Sequence, residues 1–356
     1  MIANEQLHDL GQSLWLDNIT RGLLTSGTLQ RYIEKFAVTG LTSNPTIFDQ
    51  AIRKTDFYDD AIRQKVLPGK SPEALFFELA LEDLTAAADQ FASVHAATDG
   101  EDGWVSLEVS PLLAADTEGT IQAAVQLHGR AGRSNLYMKI PGTPEGLAAI
   151  EGAIFAGVPV NVTLLFSPQQ YTAAAEAYMR GIERRLAANL DPGVSSVASL
   201  FISRWDVAVK DQIPDELRNC LGIAVAGRAY QAYRDLLASP RWRELANAGA
   251  RPQRLLWAST GTKDPSASDI LYISALAAPN TINTMPEKTL LAFADHGEVR
   301  GSLPADGADA ERILNEFSQA GVDVSALATQ LQHEGTQSFV NSWHELINCI
   351  KEKSSI

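Results

Sequence analysis

The 356-residue chain has only two cysteines, Cys220 and Cys349, and six histidines. The cysteines are far apart and form no paired-cysteine metal motif. The histidines show no HxxxH-type ligand spacing. Free, buried thiols in a reducing compartment are the expected reading, rather than a disulfide framework. No run of about 18 apolar residues exists to span a membrane. The first residues, MIANEQLHDLGQSLW, lack both the basic and the apolar segment of a secretory leader, so a cytoplasmic location is expected. Basic residues are in deficit: 29 Lys and Arg against 43 Asp and Glu give a formal net charge of −14. A nucleic-acid binder would normally present a basic face, so that class is disfavoured. A small anionic ligand is not excluded, because a few local cations and backbone N–H groups suffice to hold one. The chain also lacks short-period repeats, low-complexity tracts and any polar linker long enough to divide it. One domain over residues 1–356 is expected, since α/β barrels commonly exceed about 250 residues.

A repeated unit is present instead: a short apolar run, a small or polar residue, often a proline, then a helical stretch. Eight runs qualify as strands: residues 14–19 (LWLDNI), 38–44 (VTGLTSN), 104–110 (WVSLEVS), 135–141 (NLYMKIP), 159–166 (PVNVTLLF), 197–203 (VASLFIS), 254–260 (RLLWAST) and 280–285 (NTINTM). Proline follows many of them, at Asn44-Pro45, Ser110-Pro111, Thr143-Pro144, Ser167-Pro168 and Asp264-Pro265. A capping side chain before a proline marks a helix start. Ser167 with Gln170, and Thr284 with Glu287, have capping-box spacing.

Amphipathic stretches at 71–93, 119–130, 144–155, 168–188 and 217–237 alternate with the runs. Such alternation implies βαβ units and parallel strands. Eight units favour a closed (β/α)8 barrel over an open doubly wound sheet. The open sheet would usually carry a glycine-rich phosphate turn after its first strand, and LWLDNITRG has none. Additional helices are expected at the N-terminus, between strands two and three (46–100), and as two helices in 309–353. Trp15, Trp104 and Trp257 read as core, GTPEGL (142–147) as a tight turn into a helix, and His296 and Gly297 as a loop after the last strand. Cys220 reads as inert.

Barrel strands buried on both faces should be nearly all apolar. Three carry an ionisable residue: Asp17, Glu108 and Lys139. An isolated buried charge costs on the order of several kcal/mol, so such groups pair or serve chemistry. Each could sit at a solvated strand end, but three at similar places would converge on the C-terminal mouth, where barrel active sites form. A lysine there can attack a carbonyl and form an iminium, an electron sink for C–C cleavage. Burial lowers a lysine pKa and nearby carboxylates raise it, so the net sign is open at this level. The carboxylates would handle the proton transfers. Two other readings compete. A glycoside hydrolase could use Asp17 and Glu108 as its carboxylate pair, leaving Lys139 without a role. A non-catalytic sugar-phosphate binder would need no reactive amine.

The stretches LWLDNI, GLTSNPTIF, SLEVSP, LYMKIPGTPEGLAAI, VPVNVTLLFSPQQY and SLFISRWD, spanning residues 14–206, resemble the transaldolase family. The match continues through strands seven and eight. LYMKIPGT and NVTLLFS are the most specific signals. The length and the WASTGTKDP segment are similar to a longer bacterial branch. The resemblance implies that Lys139 forms a Schiff base with a ketose phosphate and that Asp17 is the acid/base for the C4 hydroxyl. It implies that Glu108 acts through a catalytic water held also by Thr163. Asn44 and Asn161 would hold the dihydroxyacetone hydroxyls. Arg204 and Ser259 would bind phosphate, with Ser199 and Phe201 lining the same region. Lys263 stands where the family commonly has an arginine, although the spacing differs. The implied reaction moves a dihydroxyacetone unit from fructose 6-phosphate or sedoheptulose 7-phosphate to glyceraldehyde 3-phosphate or erythrose 4-phosphate, in the non-oxidative pentose phosphate pathway. It needs no metal or organic cofactor. The partners expected are these sugar phosphates, with the chain a monomer or homodimer. A class I aldolase is the nearest relative in chemistry. A tyrosine near Phe201, or glutamine at Glu108, would favour it; neither is present.

Overall fold

The computed structural model describes residues 2–307 and 309–355; the outermost bounds expected for the domain, 1 and 356, lie outside them. Eight parallel strands close into a barrel in sequence order: β1 (Gln12–Asp17), β2 (Val38–Thr42), β3 (Trp104–Glu108), β4 (Leu136–Pro141), β5 (Val160–Leu165), β6 (Ser196–Phe201), β7 (Gln253–Ala258) and β8 (Thr281–Met285). β8 pairs back onto β1, which closes the ring. Each expected run contains its strand to within two residues. The strands are buried throughout except at Asp17, which opens onto the barrel mouth. Gly40 shows how tightly the ring closes. A Cβ there would sit 2.7 Å from the Trp15 ring and 2.8 Å from the Trp104 carbonyl oxygen.

Helices follow where capping chemistry places them. The side chains of Asn44, Thr143 and Ser167 each accept a backbone N–H three residues on, and the helices Pro45–Lys54, Pro144–Phe155 and Pro168–Ala187 begin at the proline between. Gln170 completes Ser167's pairing differently from a capping box: its Oε1 accepts from Phe166 N. Three expected starts differ. Ser110-Pro111 opens only the single 3-10 turn Pro111–Leu113, without a side-chain cap. Asp264-Pro265 opens no helix, because the Asp264 carboxylate is taken up by Ser266 and Asn219. Thr284 lies inside β8 with its hydroxyl turned to Thr42, so the helix Glu287–His296 starts after Pro286 with no side-chain cap. His296 ends that helix and Gly297 follows it. The stretch read as 217–237 is helical from Leu221 to Ala238.

The added helices lie where expected: Ala3–Asp9 before β1; Pro45–Lys54, Asp59–Lys65, Pro72–Gln90 and Ala92–Ala97 between β2 and β3; and Ala310–Gln319 and Val324–Lys353 at the end. The final helix crosses back over the barrel mouth, with Phe339 and Trp343 buried beneath it. Trp15, Trp104 and Trp257 are core residues. Both cysteines are free, Cys349 buried and Cys220 only partly so. Among the described residues no helix is long and apolar enough to cross a membrane.

One buried strand charge escaped the sequence reading. Arg254, first in its run, closes the opposite end of the barrel. Its guanidinium lies 3.6 Å from Asp102 and donates to Ser13 Oγ and the Thr281 carbonyl. Asp102 also accepts from Ser13 Oγ and Trp15 Nε1. Removing one member of a buried pair leaves the other charge uncompensated. Asp102→Ala is therefore expected to destabilise the fold by about 3 kcal/mol, read from urea unfolding. A loss within experimental error would mean the Arg254 charge is solvated some other way.

Candidate active site

Strand register decides which side chains meet. Glu108 is the neighbour of Lys139 across β3–β4, and Lys139 is the neighbour of Asn161 across β4–β5. Lys139 Nζ lies 3.5 Å from Glu108 Oε2 and donates to the Ser43 carbonyl at 3.1 Å. Lys139 and Glu108 are each only 5% exposed. Asp17 stands beside them at the end of β1, and its Oδ1 accepts from Thr42 Oγ1 at 2.8 Å. Thr42 in turn lies 2.7 Å from Thr284 Oγ1, so β1, β2 and β8 share one hydroxyl–carboxylate chain.

Burial pushes both carboxyls above their ordinary range, since the charged form loses water. For Asp17 desolvation is the largest effect, offset by attraction to Lys139 and by the Thr42 bond. Glu108 is pushed up to about 7; desolvation leads, Lys139 pulls back, and Asp17 adds repulsion. A carboxyl that titrates near neutrality can both give and take a proton at working pH.

A cavity of about 440 Å³ opens above this trio. Asp17, Asn44, Lys139, Thr163, Ser199, Phe201, Arg204, Ser259 and Lys263 all line it. Asn44 spends its Oδ1 on Ile47 N as a helix cap, while its Nδ2 has no partner among the described residues. Thr163 Oγ1 is buried without a hydrogen-bond partner. Arg204 lies over the Phe201 ring, 5.1 Å from its centroid. Burial lowers the Arg204 pKa, and Glu334 counters part of that effect. Neither Arg204 nor Lys263 makes an ion pair within 4 Å among the described residues. Both cations therefore remain available to an anion in the cavity they line. Ser259 lines the same cavity in the left-handed region (φ 57°), its hydroxyl 2.9 Å from Ser203 Oγ. A larger cavity of about 580 Å³ lies between outer helices, but its arginine, Arg228, is already paired with Glu311 at 3.3 Å.

Two expected site residues do not reach the cavity wall. Glu108 lies behind Lys139. Asn161 is fully buried beneath the floor: its Nδ2 donates to Ser106 Oγ and its Oδ1 accepts from Ser199 Oγ. Thr42, Ser43, Thr284 and Phe339 belong to the site and were not expected there. Thr42 and Ser43 fall within the TSNP stretch, but nothing local distinguishes a hydroxyl turned inward. Phe339 was legible only as an apolar position on the final helix.

Because Glu108's folded value lies above the ordinary 4.5, the folded protein holds this proton more tightly than the unfolded chain. The stability it contributes is full below that ordinary value and is lost as pH rises through about 7. Infrared titration of the carboxyl band is expected to show a Glu108 midpoint near 7 that is absent in Glu108→Gln. Lys139→Met should move the midpoint higher, because the lysine is the main influence holding it down. A midpoint unchanged by that substitution would separate the two groups electrostatically.

Comparison with known proteins shows the family of the chain. The family model described as transaldolase/fructose-6-phosphate aldolase matches residues 14–350. A transaldolase from Saccharopolyspora erythraea is 44% identical over 356 aligned residues, covering 98% of this chain and 97% of its own. The transaldolase of Thermobifida fusca is also 44% identical, over 98% of this chain and 97% of its own, and that of Renibacterium salmoninarum is 43% identical over 98% and 95%. The match runs from the first barrel strand into the helix that roofs the mouth, and the chain belongs to the transaldolase/fructose-6-phosphate aldolase family.

Proposed function

We propose that the chain is a transaldolase, moving a dihydroxyacetone unit between sugar phosphates through a Schiff base on Lys139. The observation that carries this reading is a single buried amine between two carboxyls, beneath a cavity with two unpaired cations. Similarity to proteins named transaldolase, along nearly the whole chain, supports transfer over simple cleavage.

In this reading the phosphate of a ketose such as fructose 6-phosphate rests between Arg204, Ser259 and Lys263. The local field favours the anion in spite of the net negative charge. Lys139 attacks the C2 carbonyl. Glu108 exchanges protons during loss of water, and Glu108 Oε2 and Thr163 Oγ1, both buried without hydrogen-bond partners, are suited to hold the water concerned. Asp17 takes the C4 hydroxyl proton, the C3–C4 bond breaks, and its electron pair passes into the iminium to give an enamine. An aldose phosphate leaves. The enamine C3 then attacks the aldehyde of a second aldose phosphate, which receives the proton from Asp17, and hydrolysis frees the new ketose. Asn44 Nδ2 holds the three-carbon fragment. Asn161 takes part either through Ser199 or after giving up its bond to Ser106. The cytoplasm fits such a metabolite enzyme, and the chain acts as a monomer or homodimer.

Sodium borohydride added with fructose 6-phosphate should reduce the intermediate to a stable three-carbon adduct on the peptide bearing Lys139. Lys139→Met should show no adduct and no transfer. An adduct on another lysine, or none on the parent protein, would overturn the assignment.

Arg204→Ala removes a charge that contacts the phosphate in both ground and transition states. It should raise KM for the ketose phosphate by about tenfold or more, a loss of 1.4 kcal/mol or above, with kcat less affected. Unchanged KM would move the phosphate elsewhere.

A further inference from the structure

The final helix, Val324–Lys353, is fixed over the barrel mouth at several points along one face. Gln332 Nε2 donates to the Gly142 carbonyl at 3.0 Å and the Leu164 carbonyl at 2.9 Å, at the upper ends of β4 and β5. One turn on, Gly335 lets the helix descend: a Cβ there would lie 2.9 Å from Leu164 Cδ2 and 3.2 Å from Arg204 Nη1. Further along, Ser342 Oγ accepts from Thr46 Oγ1 at 2.8 Å, and Trp343 packs against Phe76 and Phe77. Positions 332, 335, 339 and 343 recur at helical spacing, so they share the face turned to the barrel. Phe339, between these anchors, is 5% exposed and lines the cavity, with its ring centroid 5.7 Å from Lys139 Nζ.

We propose that Phe339 is a specificity-determining residue that keeps water from the Lys139 enamine and so decides transfer over cleavage. The proposal rests on the Schiff-base reading above. Once the aldose phosphate has left, two fates compete for the enamine. In transfer, C3 attacks an acceptor aldehyde. In cleavage, C3 takes a proton from a water that receives the proton held by Asp17 in return. The resulting iminium is hydrolysed to free dihydroxyacetone and the Lys139 amine. The second fate requires water beside C3. An aromatic ring held by the final helix stands in the cavity wall with its centroid 5.7 Å from Lys139 Nζ, and it cannot hydrogen-bond a water there. The barrel supplies every polar group of the chemistry, whereas this apolar surface comes from a helix some 200 residues further along the chain than Lys139.

The test supplies fructose 6-phosphate and erythrose 4-phosphate to the parent, Phe339→Ala and Phe339→Leu. It measures the ratio of free dihydroxyacetone released to sedoheptulose 7-phosphate formed, with borohydride trapping run on each protein. The expected result is a ratio at least tenfold higher in Phe339→Ala, a smaller rise in Phe339→Leu, and an adduct on Lys139 in all three. Phe339→Leu, being close in volume, guards against loss of the fold in the alanine variant. Deuterium from D2O should appear in the released dihydroxyacetone. A trapped adduct with an unchanged ratio in both variants, whatever the overall rate, overturns this proposal alone. Absence of an adduct on the parent overturns the Schiff-base reading and this proposal with it.

Discussion

The site is organised around one unfavourable arrangement: an amine and a carboxyl 3.5 Å apart, each nearly excluded from solvent, inside a ring of apolar strands. Hydrophobic packing alone would select against both groups, because desolvation of paired charges commonly exceeds their mutual attraction. The fold keeps them by surrounding them with partners. Ser43 offers a carbonyl to Lys139, Thr42 a hydroxyl to Asp17, and the register of β3 on β4 sets Glu108 beside the lysine. Burial is also what makes the trio chemically useful, since it brings Glu108 to a neutral titration range that an exposed glutamate would not reach.

The two ends of the barrel answer the same electrostatic problem in different ways. At the closed end, Arg254 and Asp102 face each other at 3.6 Å and bond to Ser13, Trp15 and backbone, although Arg254 Nε is buried without a hydrogen-bond partner. At the open end, the cations Arg204 and Lys263 have no carboxylate partner within 4 Å among the described residues and line the cavity. A carboxylate partner for the cation, rather than burial or charge, separates the structural cluster from the phosphate-facing cations of the site. The final helix then covers the open end, contributing Phe339 from above while Gln332 ties it to the strand ends that carry Lys139 and Thr163.

Much of this was readable locally. The eight strands, the helix starts at Asn44, Thr143 and Ser167, and the three ionisable strand residues follow from short-range rules: period, capping and the rarity of charge in a buried strand. Some failures were local, as at Asp264, whose carboxylate is taken by Ser266 two residues on; others had long-range causes. Thr284 has capping-box spacing to Glu287, yet its hydroxyl is drawn inward by Thr42, 242 residues away in sequence. Arg254 is a buried cation on a barrel strand, as Lys139 is. Its place at the far end of the barrel depends on which residue of β7 faces inward and on Asp102 from another loop. Asn161 reads as a ligand amide, but Ser106 and Ser199 engage it beneath the cavity floor.

The sequence by itself determined the barrel and singled out Lys139, Asp17 and Glu108, because periodicity and a charge out of place are properties of a few adjacent residues. Only the tertiary structure decided which polar groups were left unpaired, which were consumed by neighbours, and what roofs the mouth. Those outcomes depend on ring closure, strand register and a returning helix, which bring together residues separated by hundreds of positions along the chain.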